Sequence, residues 1–211
     1  MEPKPVANNL YPHIKDAMAS IALLVEGEAR ALIPAQVNAF ADCILAVHNH
    51  DGRIFLHGAG RSGLVARAFA MRLMHLGFTV YVIGEVVTPA VRAGDLVIVV
   101  SGTGETGPVN ETVIIAKHEG TRIAAVTSNK DSTLGALADT VVVISGRTET
   151  DDTTFLERQV TGTSISLTPL GTLFEINVMV LLDSVIAGLM EALGKEEHDL
   201  ARRHFPQRRR R

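Results

Sequence analysis

The chain reads as a single doubly wound α/β domain, a five-stranded parallel sheet flanked by helices, with two helices ahead of the first strand and one long helix after the last. Three observations predict this. Short β-rich apolar runs at 54–57, 79–83, 96–100, 122–127 and 140–144 alternate with helical segments near 61–77, 107–119 and 132–138, and such alternation calls for right-handed crossovers between parallel strands. Runs such as LVIVV at 96–100 are apolar throughout, which fits strands covered on both faces. Glycine-rich turns follow the first and third runs, at the junctions where a parallel sheet offers helix N-termini to a ligand.

Between residues 8 and 29 the apolar side chains Leu10, Ile14, Ala17, Met18, Ile21 and Leu24 fall three and four apart, the spacing of one face of an amphipathic helix. Pro34 suits a first helical turn, and a second helix is expected to run to about His48, before the turn residues Asn49, Asp51 and Gly52. The five strands and their helices follow. Residues 145–168 are polar and rich in threonine, and are expected to form a loop over the site. A long apolar helix over 170–193, interrupted by Glu175, Asn177 and Asp183, closes the domain. The 211 residues suit one such unit, with its core over about 30–195 and a disordered tail at 205–211.

Composition excludes several classes of function. With 46% hydrophobic and 20% charged residues the chain is not generally disordered. No uninterrupted apolar run reaches the roughly 20 residues that span a bilayer, and residues 1–9 lack the basic and apolar regions of a secretory leader, so a cytoplasmic protein is expected. The net charge of −3 includes six arginines in the last ten residues, which leaves the remainder at −9; an acidic body repels nucleic acid. Cys43 is the only cysteine and lies in an apolar stretch, which excludes an intramolecular disulfide and a cysteine-rich metal cluster. His48 and His50 have no third ligand pattern beside them, so no metal site is expected.

Two turns carry the chemistry. Gly58-Ala59-Gly60-Arg61-Ser62-Gly63 follows the first strand and opens a helix, and it matches the G-x-G-x-x-G pattern of dinucleotide binders, with Glu85 near the distance expected of their ribose-binding acid. Ser101-Gly102-Thr103-Gly104-Glu105-Thr106 follows the third strand and opens the next helix. Glycines let the backbone approach an anion, and Ser101, Thr103 and Thr106 add three hydroxyl donors. That second loop suits a phosphate monoester. A dinucleotide enzyme has no need of it, so a phosphosugar ligand is the favoured reading, with Gly60, Arg61, Ser62, Ser101, Gly102, Thr103 and Thr106 as its binding residues. The nicotinamide reading stands as the competitor.

The segments HGAGRSGLVARAFAMRLMHLGF at 57–78, SGTGET at 101–106, AVTSN at 125–129, DSTL at 131–134 and PLGTLFE at 169–175 resemble the sugar isomerase (SIS) domain family, and within it the 6-phospho-3-hexuloisomerases. The resemblance covers about residues 10–204. It implies interconversion of D-arabino-3-hexulose 6-phosphate and D-fructose 6-phosphate in the ribulose monophosphate route of formaldehyde fixation, by a homotetramer without a cofactor, paired functionally with a 3-hexulose-6-phosphate synthase. It further implies Glu175 as the base and His204, reaching a neighbouring subunit's site, as a second proton carrier. Glu105 is expected to orient its loop or cap its helix rather than act as base. The chain departs from the family where Phe205-Pro206-Gln207 and four arginines follow His204, and at Thr168. A non-catalytic SIS regulator that binds a sugar phosphate, or another phosphosugar isomerase, is the alternative.

Overall fold

The run LVIVV at 96–100 becomes a strand buried at every residue, covered on both sides, so no polar alternation is needed. The computed structural model describes residues 10–50, 52–146 and 172–204. In chain order the elements are α1 (Tyr11–Ala31), α2 (Pro34–Asn49), β1 (Arg53–Gly58), α3 (Gly60–Leu76), β2 (Thr79–Val82), β3 (Leu96–Val100), α4 (Gly107–His118), β4 (Arg122–Thr127), α5 (Thr133–Leu137), β5 (Thr140–Val143), α6 (Thr172–Ala192) and α7 (Glu197–His204). All strand pairs are parallel, in the order β2-β1-β3-β4-β5. The expected doubly wound sheet is present, and its strand ends lie within a residue of those read from sequence.

Strand alternation sorts the core into two layers. Ile54, Leu56, Ile98, Val100 and Val126 face α2, α3 and α6. Phe55, Val97, Val99, Ile123 and Ala125 face α4 and α5. Helix α3 stops where Gly77 takes φ +109°, and the Gly77 and Phe78 N–H groups both close onto the Leu73 carbonyl at 3.1 Å. The outer edge of β5 is sealed by side chains of the two leading helices. Val143 N–H donates to Gln36 Oε1 at 2.9 Å and Ser145 N–H to Glu28 Oε1 at 3.1 Å, which occupies amides that an open edge would offer to another strand.

Three features add to the sequence reading. The periodic face of α1 is real, but Leu10, Ile14 and Met18 remain exposed, because α1 packs mainly along α6. The stretch Leu173–Ala192 is long and apolar enough to cross a membrane by composition, even though Glu175, Asn177 and Asp183 interrupt its apolar run. Its Phe174, Val178, Leu182, Val185 and Leu189 are buried in the first layer, so it is the core helix of this fold. Helix α7 lies beyond the expected core and packs against α3. The proposed threonine-rich loop and the arginine tail fall outside the described residues.

Candidate active site

The sheet order reverses between β1 and β3, and the carboxyl end of such a switch point is where open α/β sheets take ligands. Gly58 pairs in register with Val100 there. Helix α3 begins almost in contact with the strand it follows: a methyl group at Gly63 would stand 2.7 Å from the Gly58 carbonyl oxygen, so glycine at both places is a condition of the close approach. Gly60 turns the chain into the helix with φ +56°.

The next two side chains meet a carboxylate that is far away in sequence. Ser62 Oγ donates to Glu175 Oε1 at 3.2 Å, and Arg61 Nε lies 3.7 Å from Glu175 Oε2, an ion pair longer than a hydrogen bond. The Arg61 side chain is 53% exposed and that of Glu175 only 12%. Glu175 stands in the first turn of α6, where the helix N-terminus favours a negative charge. A carboxylate therefore sits at the mouth of the switch point, held on one oxygen by a hydroxyl and approached on the other by a guanidinium.

The second loop is braced from β4 and α5. The Gly102 carbonyl accepts from Ser128 N–H at 2.9 Å, Ser128 Oγ at 2.6 Å and Thr127 Oγ1 at 3.2 Å. Gly104 has φ +69°, and a methyl group there would overlap the Ser132 hydroxyl at 2.0 Å; its carbonyl accepts from Leu134 N–H and Asn110 Nδ2, each at 3.0 Å. Thr103 Oγ1 accepts from Glu105 N–H at 3.2 Å. Ser101 is buried. Thr106 is the N-cap of α4 without spending its hydroxyl on the cap, which leaves that donor at a helix N-terminus where anions are favoured. Glu105 binds Thr133 through its backbone N–H at 2.7 Å and its hydroxyl at 2.6 Å. It thus orients the loop by capping α5, in line with the supporting role expected for it.

Thr127, Ser128, Ser132, Asn110 and Phe174 support the site and were not assigned from sequence. Hydroxyl residues at the carboxyl end of β4 are the signal for the first two, since the topology sets that end beside β3. His57 shares the Phe55 side of the sheet, away from the layer that holds α6. Both its ring nitrogens are buried without a hydrogen-bond partner, and burial holds its pKa below the ordinary imidazole value. His204 is the last residue of α7. Among the described residues no cluster of three or more His, Cys, Asp or Glu is placed to hold a metal ion.

A cavity of about 250 Å³ lies on the other flank of the glycine turn, lined by Gly58, Gly63, Arg67, Val82 and Ile83. Glu85 beside it is paired to Arg67 at 2.7 Å. A dinucleotide ribose would have to compete with Arg67 for that carboxylate, at a half-exposed pair worth about 1 kcal/mol at most.

The SIS domain family model matches residues 48–168. A relative from Mycobacterium gastri named 3-hexulose-6-phosphate isomerase is 40% identical over 94% of this chain and 89% of its own length. One of the same name from Bacillus subtilis is 36% identical over 89% of this chain and 95% of its own. A crystal structure of a protein from Methanococcus jannaschii, from which a molecular function of 3-hexulose-6-phosphate isomerase was inferred, superposes with TM-score 0.68 at 29% identity, covering 92% of this chain and 98% of that one.

Proposed function

We propose, from the premise that this chain belongs to the SIS domain family, that it interconverts D-arabino-3-hexulose 6-phosphate and D-fructose 6-phosphate. The observation that carries the reading is the meeting of Ser62 and Arg61 with Glu175 at the switch point, beside a braced loop rich in hydroxyls. The loop from Ser101 to Thr106, with the Gly60 to Ser62 turn, holds the phosphate and the sugar chain. Moving the carbonyl from C3 to C2 requires a proton to leave C2, a 2,3-enediol to form, and a proton to arrive at C3. One carboxylate on one face of the sugar performs both transfers.

Glu175 is that base. Ser62 aims its carboxylate, and Arg61 balances its charge. His204 moves the proton between O3 and O2 from a neighbouring subunit, near neutrality where imidazole exchanges protons readily. The uncovered apolar face of α1, with exposed Leu64, Met71 and Met74 on α3, supports a homo-oligomer, which we read as a tetramer. The enzyme would act in the cytoplasm after a 3-hexulose-6-phosphate synthase, in formaldehyde fixation. The test is the purified protein with 3-hexulose 6-phosphate made in situ and a coupled readout for fructose 6-phosphate. Turnover is expected; none at any enzyme concentration overturns the reading.

A further inference from the structure

We propose that Phe174 is a positioning residue that couples the phosphate loop to the base, so that the geometry of one sets the geometry of the other; this rests on the isomerase reading above. Phe174 immediately precedes Glu175 in the first turn of α6 and is only 4% exposed. Its ring lies flat against Gly102. A methyl group there would stand 3.3 Å from Cδ1, 3.5 Å from Cγ and 3.6 Å from Cε1. On another side it meets Gly146, where a methyl group would stand 3.6 Å from Phe174 Cβ and 2.9 Å from Ser128 Cβ.

The same Ser128 holds the Gly102 carbonyl through its N–H and its hydroxyl. Gly102, Ser128, Gly146 and Phe174 are therefore one packed unit, with the ring as its link to α6. Close-packed interiors have no slack to absorb a shift at such a contact. A loop that settles around a phosphate displaces the ring, and the ring displaces the backbone that carries the Glu175 carboxylate. Ser62 then receives that carboxylate at a distance set partly by the occupant of the loop.

Phe174→Leu, which keeps an apolar side chain without the flat face, is expected to lower kcat about ten- to a hundredfold, the scale of a misplacement of about 1 Å at the reacting atoms. KM for fructose 6-phosphate should stay within about twofold, since the phosphate contacts themselves remain. Gly102→Ala makes the kcat test from the loop side, because the added methyl group meets the ring at 3.3 Å. Two readouts separate positioning from a structural role. The acid limb of the pH profile of kcat/KM should move in either variant, and the double variant should be less impaired than the product of the single effects, because leucine leaves room for the alanine. Single effects that multiply, or a pH profile that stays in place while only the folded fraction falls, overturn the proposal. Absence of turnover in the wild-type protein would instead count against the isomerase reading.

Discussion

The two ends of the sheet each join an arginine to a carboxylate, and they do so to opposite effect. At the amino end Arg53 Nε donates to Asp95 Oδ1 at 3.0 Å and Nη2 to Oδ2 at 2.5 Å, while Nη2 also reaches the Ala90 carbonyl and Asp95 Oδ2 accepts from Arg92 N–H. Those side chains are 14% and 2% exposed, and the hydrogen bond to Asp95 holds the guanidinium pKa above its usual value. At the carboxyl end the Arg61–Glu175 pair makes a single 3.7 Å approach, with the arginine half in solvent. A bidentate, satisfied pair resists change. A longer one holds its partner less firmly, and local order is commonly sacrificed where a ligand must enter. The amino end is held fast, and the carboxyl end carries the proposed chemistry.

Exchanging single groups sharpens that contrast. Glu175→Gln should show the largest effect on activity, lowering kcat by about 10²- to 10⁴-fold, the usual contribution of a general base, with fructose 6-phosphate affinity by calorimetry and thermal stability nearly unchanged; normal turnover would remove Glu175 from its role. Asp95→Ala should do the reverse. Leaving Arg53 without its partner is expected to cost about 3–5 kcal/mol in denaturant unfolding, with kcat per folded molecule preserved. A loss of kcat without loss of stability would erase the distinction between the ends.

Smaller effects are expected from the phosphate loop. Ser101→Ala or Thr106→Ala should raise KM about tenfold, the scale of one hydrogen bond to a charged group, with kcat changed little. The least is expected of His57. Its folded pKa lies below the unfolded value, so above about pH 6.5 both states are neutral there and the group is without effect. As pH falls through the unfolded value, the unfolded chain takes up the proton first and stability drops. His57→Leu should therefore flatten the stability curve below about pH 6.5, read by urea melts; identical curves would show that the buried imidazole is not what titrates.

Most of the architecture was legible because it rests on local signals. The β-rich runs, Pro34, and the glycines at 58–63 and 101–106 each state a backbone preference within a few residues, and the described strands and helices follow them. Helix α7 was missed because its eight residues are polar and charged, with too little apolar periodicity to register. The exposure of α1 was hidden for another reason: periodicity shows that a face is apolar and says nothing of what covers it.

The site divides in the same way. The two glycine turns declare themselves in sequence through glycine and hydroxyl content, since those residue types are what a backbone needs to approach a charged oxygen. Contact between Ser62 and Glu175 joins residues 113 apart, and the Glu28 seal on Ser145 joins residues 117 apart; no local pattern encodes either. By itself the sequence determined the secondary elements, the parallel sheet and the two turns, because those follow from short-range sterics and burial. Only the tertiary structure decided which carboxylate meets the turn, which arginine is held fast and which left loose, and that Phe174 lies on Gly102, because those depend on how strands order themselves and helices cross, which is settled by packing between distant parts of the chain.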